Sequence, residues 1–247
     1  RRERDMDQVT DEMIEEVMQL LQLFGIPYLR APAEAEAQAA EFEKLGLVDG
    51  VVTEGKIVLL LLLLLFALQI QHDMVTTDSD AIVFGSRNVY RNIFEDKKYV
   101  EVYMSSDSES IGLGLNEKIA LAMLLGGDYT EGVKGVGIVN AMEVLKAFPV
   151  SNSVEEGLKE FRKWLDGFEL EDKEEGNPAI AEFKRKHRTA RSRWVVPRDF
   201  PAKPVLQAYS NPVVDSSKDT FSWGIPDLEA LQVFCYKKMG WEKSETD

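Results

Sequence analysis

The stretch MVTTDSDAIVFG, residues 74–85, decides the fold. MVTT is a short β-branched run that ends on Asp78, Ser79 and Asp80, and runs of this kind bounded by turn-forming or charged residues read as strands. Downstream, AIVFG (81–85), NVYRNIF (88–94) and KYVEVYM (98–104) repeat the pattern. Upstream, residues 49–53 form another strand, preceded by an alanine- and glutamate-rich helix over 34–45 that starts after Pro32 and stops at Gly46. Before it lie an extended piece at 26–29 and a helix at 7–24, whose Met13, Ile14, Val17, Leu20, Leu21 and Phe24 share one face. Helices alternating with strands imply an α/β sheet. An Asp-x-Asp in a loop after a strand brings two carboxylates to the carboxyl edge of such a sheet, where ligand sites gather, although Asp and Ser also make ordinary turns.

From Asn116, which fits an N-cap, the pattern turns helical. A helix runs to Gly126, and a glycine-spaced turn at Gly132, Gly135 and Gly137 leads into a helix over 138–148. Helices at 155–165 and 179–194 follow, joined by the charged linker EDKEEGNP (171–178). A proline-punctuated wrap spans 197–226 before a last helix at 227–239. Three units are expected: an α/β region at 1–115, a helical region at 116–195, and a wrap with its helix at 196–247.

Composition narrows the function. With 247 residues and 45% hydrophobic side chains the chain can bury a core. Its 43 acids against 29 bases give a formal charge of -14, which excludes a protein that coats a polyanion with lysine and arginine. Nucleic-acid contact must then be local or metal-assisted. The single cysteine, Cys235, can form no internal disulfide, so a reducing compartment is expected. The first residue is Arg1, from which a fragment or processed piece is expected. The run IVLLLLLLLFAL (57–68) has 12 apolar residues, including Leu59 to Leu65 without a break. As a helix it would span ~18 Å against a hydrocarbon core of ~30 Å, so no membrane span is expected.

Acids stand at five suggestive places: Glu34, Glu36, Asp78, Asp80 and Asp128. Glutamates in a first helical turn complement the dipole without any ligand. Residues two apart on a helix point roughly 200° away from each other, so Glu34 and Glu36 could meet one ion only if Glu34 lies before or at the helix start. Asp128 follows the apolar LAMLLGG, where a charge near buried surface is costly unless paired or cation-bound. Clusters of oxygen donors from separate elements fit a hard cation, Mg²⁺ or Mn²⁺. Zinc is excluded by donor type, since Cys235, His72 and His187 have no ligand-like spacing. In EGVKGVGIVNAMEVL (131–145) the glycines leave backbone N–H groups at a helix start open to a phosphate. KRKHRTARSR (184–193) concentrates basic residues in an acidic chain, as a duplex-backbone contact or a solvated face.

Taken in order, GIPYLRAPAEAEAQAAEFEKLGLVDGVVT (25–53), TTDSDAIVFGSRNVYRNIFEDKKYVEVY (76–103) and LLGGDYTEGVKGVGIVNAMEVLKAFP (124–149) resemble the xeroderma pigmentosum group G (XPG) family of structure-specific nucleases. HRTARSRWVVPRDFP (187–201) and FSWGIPDLEALQVFCYKKMGW (221–241) resemble its DNA-repair endonucleases more than the shorter flap nucleases. The resemblance implies a PIN-like or resolvase-like, mostly parallel sheet flanked by helices, followed by a helical helix-two-turn-helix region. It implies that Glu34, Glu36, Asp78, Asp80 and Asp128 hold a pair of Mg²⁺ or Mn²⁺ ions for phosphodiester cleavage. It implies a K⁺ ion on the backbone carbonyls of Gly132, Val133 and Val136. It also implies duplex contacts by Lys134, Gly135, Gly137, Lys184, Arg185, Lys186 and Arg188. Expected partners are DNA with a duplex/single-strand junction, an N-terminal nuclease region that this sequence does not contain, and repair-complex proteins in the nucleus.

The sequence departs from the family at Ala33, Ala39, Thr77 and Gly127, while the five carboxylates survive. A larger departure is an insertion, roughly 54–76, between GVVT and the DSD loop, expected to be a retained intron or gene-model error. Either GVVT or MVTT could supply the strand that leads into the acids, with the rest looped out. Two other functions compete: a catalytically silent junction-binding scaffold fragment, and a haloacid-dehalogenase-type phosphatase. The phosphatase is set aside because Ile82 and Gly132 stand where its motifs require other residues.

Overall fold

The computed structural model describes residues 10–53, 73–76, 79–92, 99–168 and 178–246. Among them a sheet of four strands has the order β2-β1-β3-β4, with β1 at Gly50–Thr53, β2 at Asp73–Thr76, β3 at Asn88–Arg91 and β4 at Glu101–Met104. The β1 strand pairs in parallel with β2 and β3, and β3 pairs antiparallel with β4. The mostly parallel α/β class read from the sequence is therefore the observed one. Strand β1 is central, and its consecutive Val51 and Val52 are both fully buried, as expected for a strand covered on both faces.

In two places the sheet region differs from the sequence reading. GVVT and MVTT are not alternatives: Gly50–Thr53 and Asp73–Thr76 both form strands, side by side, with Val52 opposite Val75 and Thr53 opposite Thr76. Each carries consecutive β-branched residues, Val51 to Thr53 and Val75 to Thr76, so each suits a strand. AIVFG is not extended, because Ser79–Ile82 forms a 3-10 turn in which Asp80 O accepts from the N–H groups of both Val83 and Phe84. This turn drops Ala81 into the small core with Ala39, Val51 and Val89. The leucine run at 57–68 lies outside the described residues. Among the described residues, no helix is long and apolar enough to cross a membrane.

Helix α1 (Asp11–Leu23) opens on Thr10, whose hydroxyl accepts from Met13 N, and α2 (Ala35–Leu45) carries the first pair of acids. A short α3 (Ser105–Ser110) follows the sheet. Beyond it the chain is helical, with α4 at Leu115–Leu125, α5 at Ile138–Ala147, α6 at Val154–Leu165, α7 at Pro178–Lys186, α8 at Lys203–Ser210, α9 at Leu228–Met239 and α10 at Lys243–Thr246. The N-cap of α4 is Gly114, not Asn116, whose amide instead donates to Ser151 O at 2.9 Å. The helix expected over 179–194 ends at Lys186 and gives way to a 3-10 turn, Ala190–Ser192. His187, Ala190 and Trp194 all enter the core, at the spacing of one helical face carried on through the turn. Helix α8, hidden in the sequence by its prolines, has proline in its first turn, where the missing N–H costs nothing.

The largest core joins α4 through α8. Within it Phe148, Phe161, Trp164, Phe183, Trp194 and Phe200 form a network of aromatic contacts, with centroids 4.9 Å apart for Trp164 and Phe183 and 5.7 Å for Phe148 and Phe161. A separate small cluster of Leu20, Leu231 and Phe234 holds α1 against α9. There the chain passes so close that a Cβ on Gly25 would meet Gly224 C at 2.5 Å, and Gly224 N donates to Gly25 O at 2.7 Å.

Candidate active site

Glu34 is the N-cap of α2, with extended backbone at φ -76° and ψ 130°, and its side chain makes no cap bond. Glu36 lies in the first turn and is 8% exposed. This is the arrangement that the two-residue spacing requires if both carboxylates are to serve one site. Asp80 sits in the 3-10 turn after β2, at the edge where β1 and β2 both end. Asp78 lies outside the described residues.

Asp128 occupies a tight turn with Tyr129. Gly127 N donates to Thr130 O at 2.9 Å and Thr130 N to Gly127 O at 3.3 Å, which leaves the two residues between them at the tip. The turn is anchored beneath by Val133 N donating to Leu124 O, and Gly132, at φ +70°, packs so tightly that a Cβ there would sit 2.4 Å from Gly126 N. Asp128 itself is exposed, so the burial cost anticipated from LAMLLGG does not arise. Its placement comes from the turn.

Tyr129 connects these elements. Its phenol donates to the Glu34 carboxylate and feels the charge of Asp80. Desolvation, the Glu34 hydrogen bond and these charges together push its ionisation well above the usual phenol range, so it remains a neutral donor. Glu34 from α2, Asp80 from the 3-10 turn and the Asp128 turn are thus brought to one place. Among the described residues, no three acids are close enough to hold an ion by themselves. The donors present are oxygen only, which fits a hard divalent cation. Beside Tyr129 a cleft of about 330 Å³ is lined by Thr130, Glu131, Pro197, Asp199 and Phe200.

The glycine turn and the basic segment lie elsewhere on the helical region. Val133 and Val136 are buried, Val133 O already accepts from Val136 N at 3.0 Å, and Lys134 pairs both ways with Val195. Gly135 and Gly137 are exposed, and Gly137 is the N-cap of α5. In α7 Lys184 is half-buried and Lys186 is ion-paired to Glu143 of α5, while Arg185 and the post-helical Arg188 are exposed without an acid partner among the described residues.

Glu143 also meets His187 Nε2 at 2.5 Å. The hydrogen bond from Lys186, then that from His187, holds the Glu143 carboxyl below the usual carboxylate range. A depressed carboxyl stabilises the fold above its unfolded-state value, and that contribution disappears as pH falls through the folded-state value. Glu143→Gln is therefore expected to lower stability by about 1 kcal/mol at neutral pH. The gap from the parent should close when urea unfolding is repeated in acid below the usual carboxylate range.

Sequence reading missed Tyr129 and two buried residues behind the site, Gln38 and Tyr209. The available signals were a phenol directly after Asp128, and a glutamine two places after Glu36 on the helix's apolar side.

Residues 25–58 and 66–128 match the family model described as the XPG I-region, and the match skips residues 59–65, the seven consecutive leucines. The DNA repair protein RAD2 of Saccharomyces cerevisiae is 37% identical over 248 residues, covering 99% of this chain and 21% of that protein. The solved catalytic core of Rad2 in complex with DNA substrate superimposes with a TM-score of 0.71 at 36% identity, covering 100% of this chain and 68% of that one. This chain belongs to the XPG family. Another solved relative, the Holliday junction-resolving enzyme GEN1 in complex with product DNA and Mg²⁺, is 25% identical with a TM-score of 0.61, covering 95% of this chain and 52% of that one. The chain spans about a fifth of the curated RAD2 sequence.

Proposed function

We propose that this chain is the internal, carboxy-terminal catalytic portion of a metal-dependent DNA endonuclease that cuts at duplex/single-strand junctions in nucleotide excision repair. The observation that carries the reading is the meeting of Glu34, Asp80 and the Asp128 turn at the Tyr129 phenol. Like charges gathered in one place repel unless a cation compensates them. In this reading Glu34, Glu36, Asp78, Asp80 and Asp128 hold Mg²⁺ or Mn²⁺, as a pair of ions. The metal supplies an activated water and stabilisation of the leaving oxygen. Tyr129 orients the Glu34 carboxylate. Gly135 and Gly137 let the duplex backbone approach α5, and Lys134, Lys184, Arg185, Lys186 and Arg188 neutralise phosphates. The carbonyls of Gly132, Val133 and Val136 take K⁺ beside that duplex. The N-terminal nuclease region completes the site, and the assembled enzyme works with repair-complex proteins in the nucleus.

The test is Mg²⁺-dependent incision of labelled bubble and flap DNA by this chain, alone and with a separately supplied N-terminal nuclease region. Incision that needs both pieces is expected. No incision by folded, mixed pieces would replace this reading with that of a silent junction-binding fragment.

A further inference from the structure

The acid-bearing elements are touched in turn by one continuous stretch, residues 200–227. At its start Tyr209 of α8, which is 2% exposed, packs edge-on against Tyr129 with ring centroids 5.5 Å apart. Tyr209 also packs against Phe84, four residues beyond Asp80, at 5.3 Å. Its hydroxyl lies 3.6 Å from where a Cβ on Gly127 would stand, so it fills the space under the Asp128 turn. Farther on, Gln38 of α2 donates from Nε2 to Asp215 O at 2.7 Å and accepts at Oε1 from Asp215 N at 2.6 Å, across 177 residues of sequence. Ser216 Oγ then donates to Glu41 Oε1 at 3.0 Å, and Phe221 meets Phe42 edge-on at 5.2 Å. The stretch ends on the close Gly224 and Gly25 contact.

Gln38 is wholly buried. A buried amide is costly unless both its donor and its acceptor are used, and here both go to the backbone of one residue. Its outlay in desolvation is justified by attachment of the strap, since a leucine would fill the same space without any such cost. Tyr209 likewise contacts the carriers of Asp80 and Asp128, through Phe84 and Tyr129.

We infer that residues 200–227 form a strap that sets the spacing of the acid-bearing elements, with Gln38 and Tyr209 as its positioning residues: Tyr209 joins the Asp80 and Asp128 carriers, and the Gln38 clamp adds the helix of Glu34 and Glu36. The consequence for metal binding rests on the function proposed above, whereas the strap itself rests on the contacts just described. Removing partners that orient metal ligands typically weakens metal affinity by about 10–100-fold.

The experiment compares the full chain with its Gln38→Leu, Tyr209→Leu and Tyr209→Phe variants, each checked by circular dichroism. Amide hydrogen exchange and Mn²⁺ affinity by electron paramagnetic resonance are measured well below the melting temperature. Gln38→Leu should speed exchange over residues 34–41, and Tyr209→Leu over 79–84 and 126–131. Both should weaken Mn²⁺ binding by about tenfold. Tyr209→Phe, which keeps the ring contacts and loses only the hydroxyl under the Asp128 turn, should bind Mn²⁺ more tightly than Tyr209→Leu. Faster exchange confined to 211–227, or uniform loss of protection, would overturn the inference, as would unchanged Mn²⁺ affinity in the leucine variants of a parent that binds the ion. If the parent binds no Mn²⁺, the metal-site reading fails separately, and the exchange pattern alone decides the strap. Should Tyr209→Leu not fold, Gln38→Leu carries the same decision.

Discussion

Asparagine at position 128 should lower Mg²⁺-dependent incision by the assembled nuclease by on the order of 10³-fold, a loss of about 4 kcal/mol of transition-state stabilisation. Asp128 is exposed at the tip of its turn, and the turn is held by backbone bonds between Gly127 and Thr130. Neither bond involves the carboxylate, so Asp128→Asn should leave stability within about 0.5 kcal/mol of the parent. In the proposed site the amide also removes a negative charge that would face a phosphate, so junction affinity should hold or rise. The loss must then fall on kcat rather than on DNA binding. Asp80→Asn should share the loss of incision, because the Asp80 charge acts on the same phenol from a different element. Single-turnover incision and junction affinity measured on the same preparations separate the two effects. A variant that still cuts within tenfold of the parent would remove Asp128 from the metal-binding set. A variant that cuts poorly only because it binds DNA poorly would make it a contact residue.

The parts of this site legible in the sequence are those governed by local chemistry. Gly46, at φ +74°, closes α2, and Asp227 caps α9 by accepting from Ala230 N at 3.0 Å. Both are decided by a residue and its immediate neighbours. The five acids could be picked out for local reasons: Glu34 and Glu36 at a helix start after Pro32, Asp78 and Asp80 as an Asp-x-Asp after a strand, and Asp128 as a charge following LAMLLGG. What could not be read depends on partners far away in sequence. Residues 81–85 have the composition of a strand, yet the Asp80 carbonyl and the small pocket around Ala81 make a tighter turn the better fit. The basic segment has helical periodicity through Trp194, and its buried residues keep that spacing, but the helix ends at Lys186 and a 3-10 turn carries the chain on to Trp194. Gln38 looks like one more polar residue of an Ala/Glu-rich helix until its partner Asp215 is known.

The second large effect belongs to the core under the helical region. Phe161→Ala should cost about 3–5 kcal/mol, a fall in melting temperature of roughly 6–20 °C for a chain of this size. Phe161 is fully buried and touches Phe148, Trp164, Trp194 and Phe200 at centroid distances of 5.7–6.2 Å. Four rings surround it, each held by a different segment, so the surroundings cannot collapse into the cavity without moving all of them. Trp194 is the neighbour with consequences for function: its backbone leads into Val195, which pairs with Lys134, and its ring edge lies 3.1 Å from where a Cβ on Gly135 would stand. Loss of the Phe161 ring should therefore loosen the glycine turn before it reaches the sheet. In the truncated variant, salt-sensitive duplex binding should weaken at temperatures where the α/β region still shows native exchange protection. Phe161→Leu, which retains most of the volume, should recover more than half of the lost stability. Equal loss of protection in the sheet and in the glycine turn would mean instead that the core clusters unfold as one unit, with Phe161 supporting the acids as directly as the duplex contact.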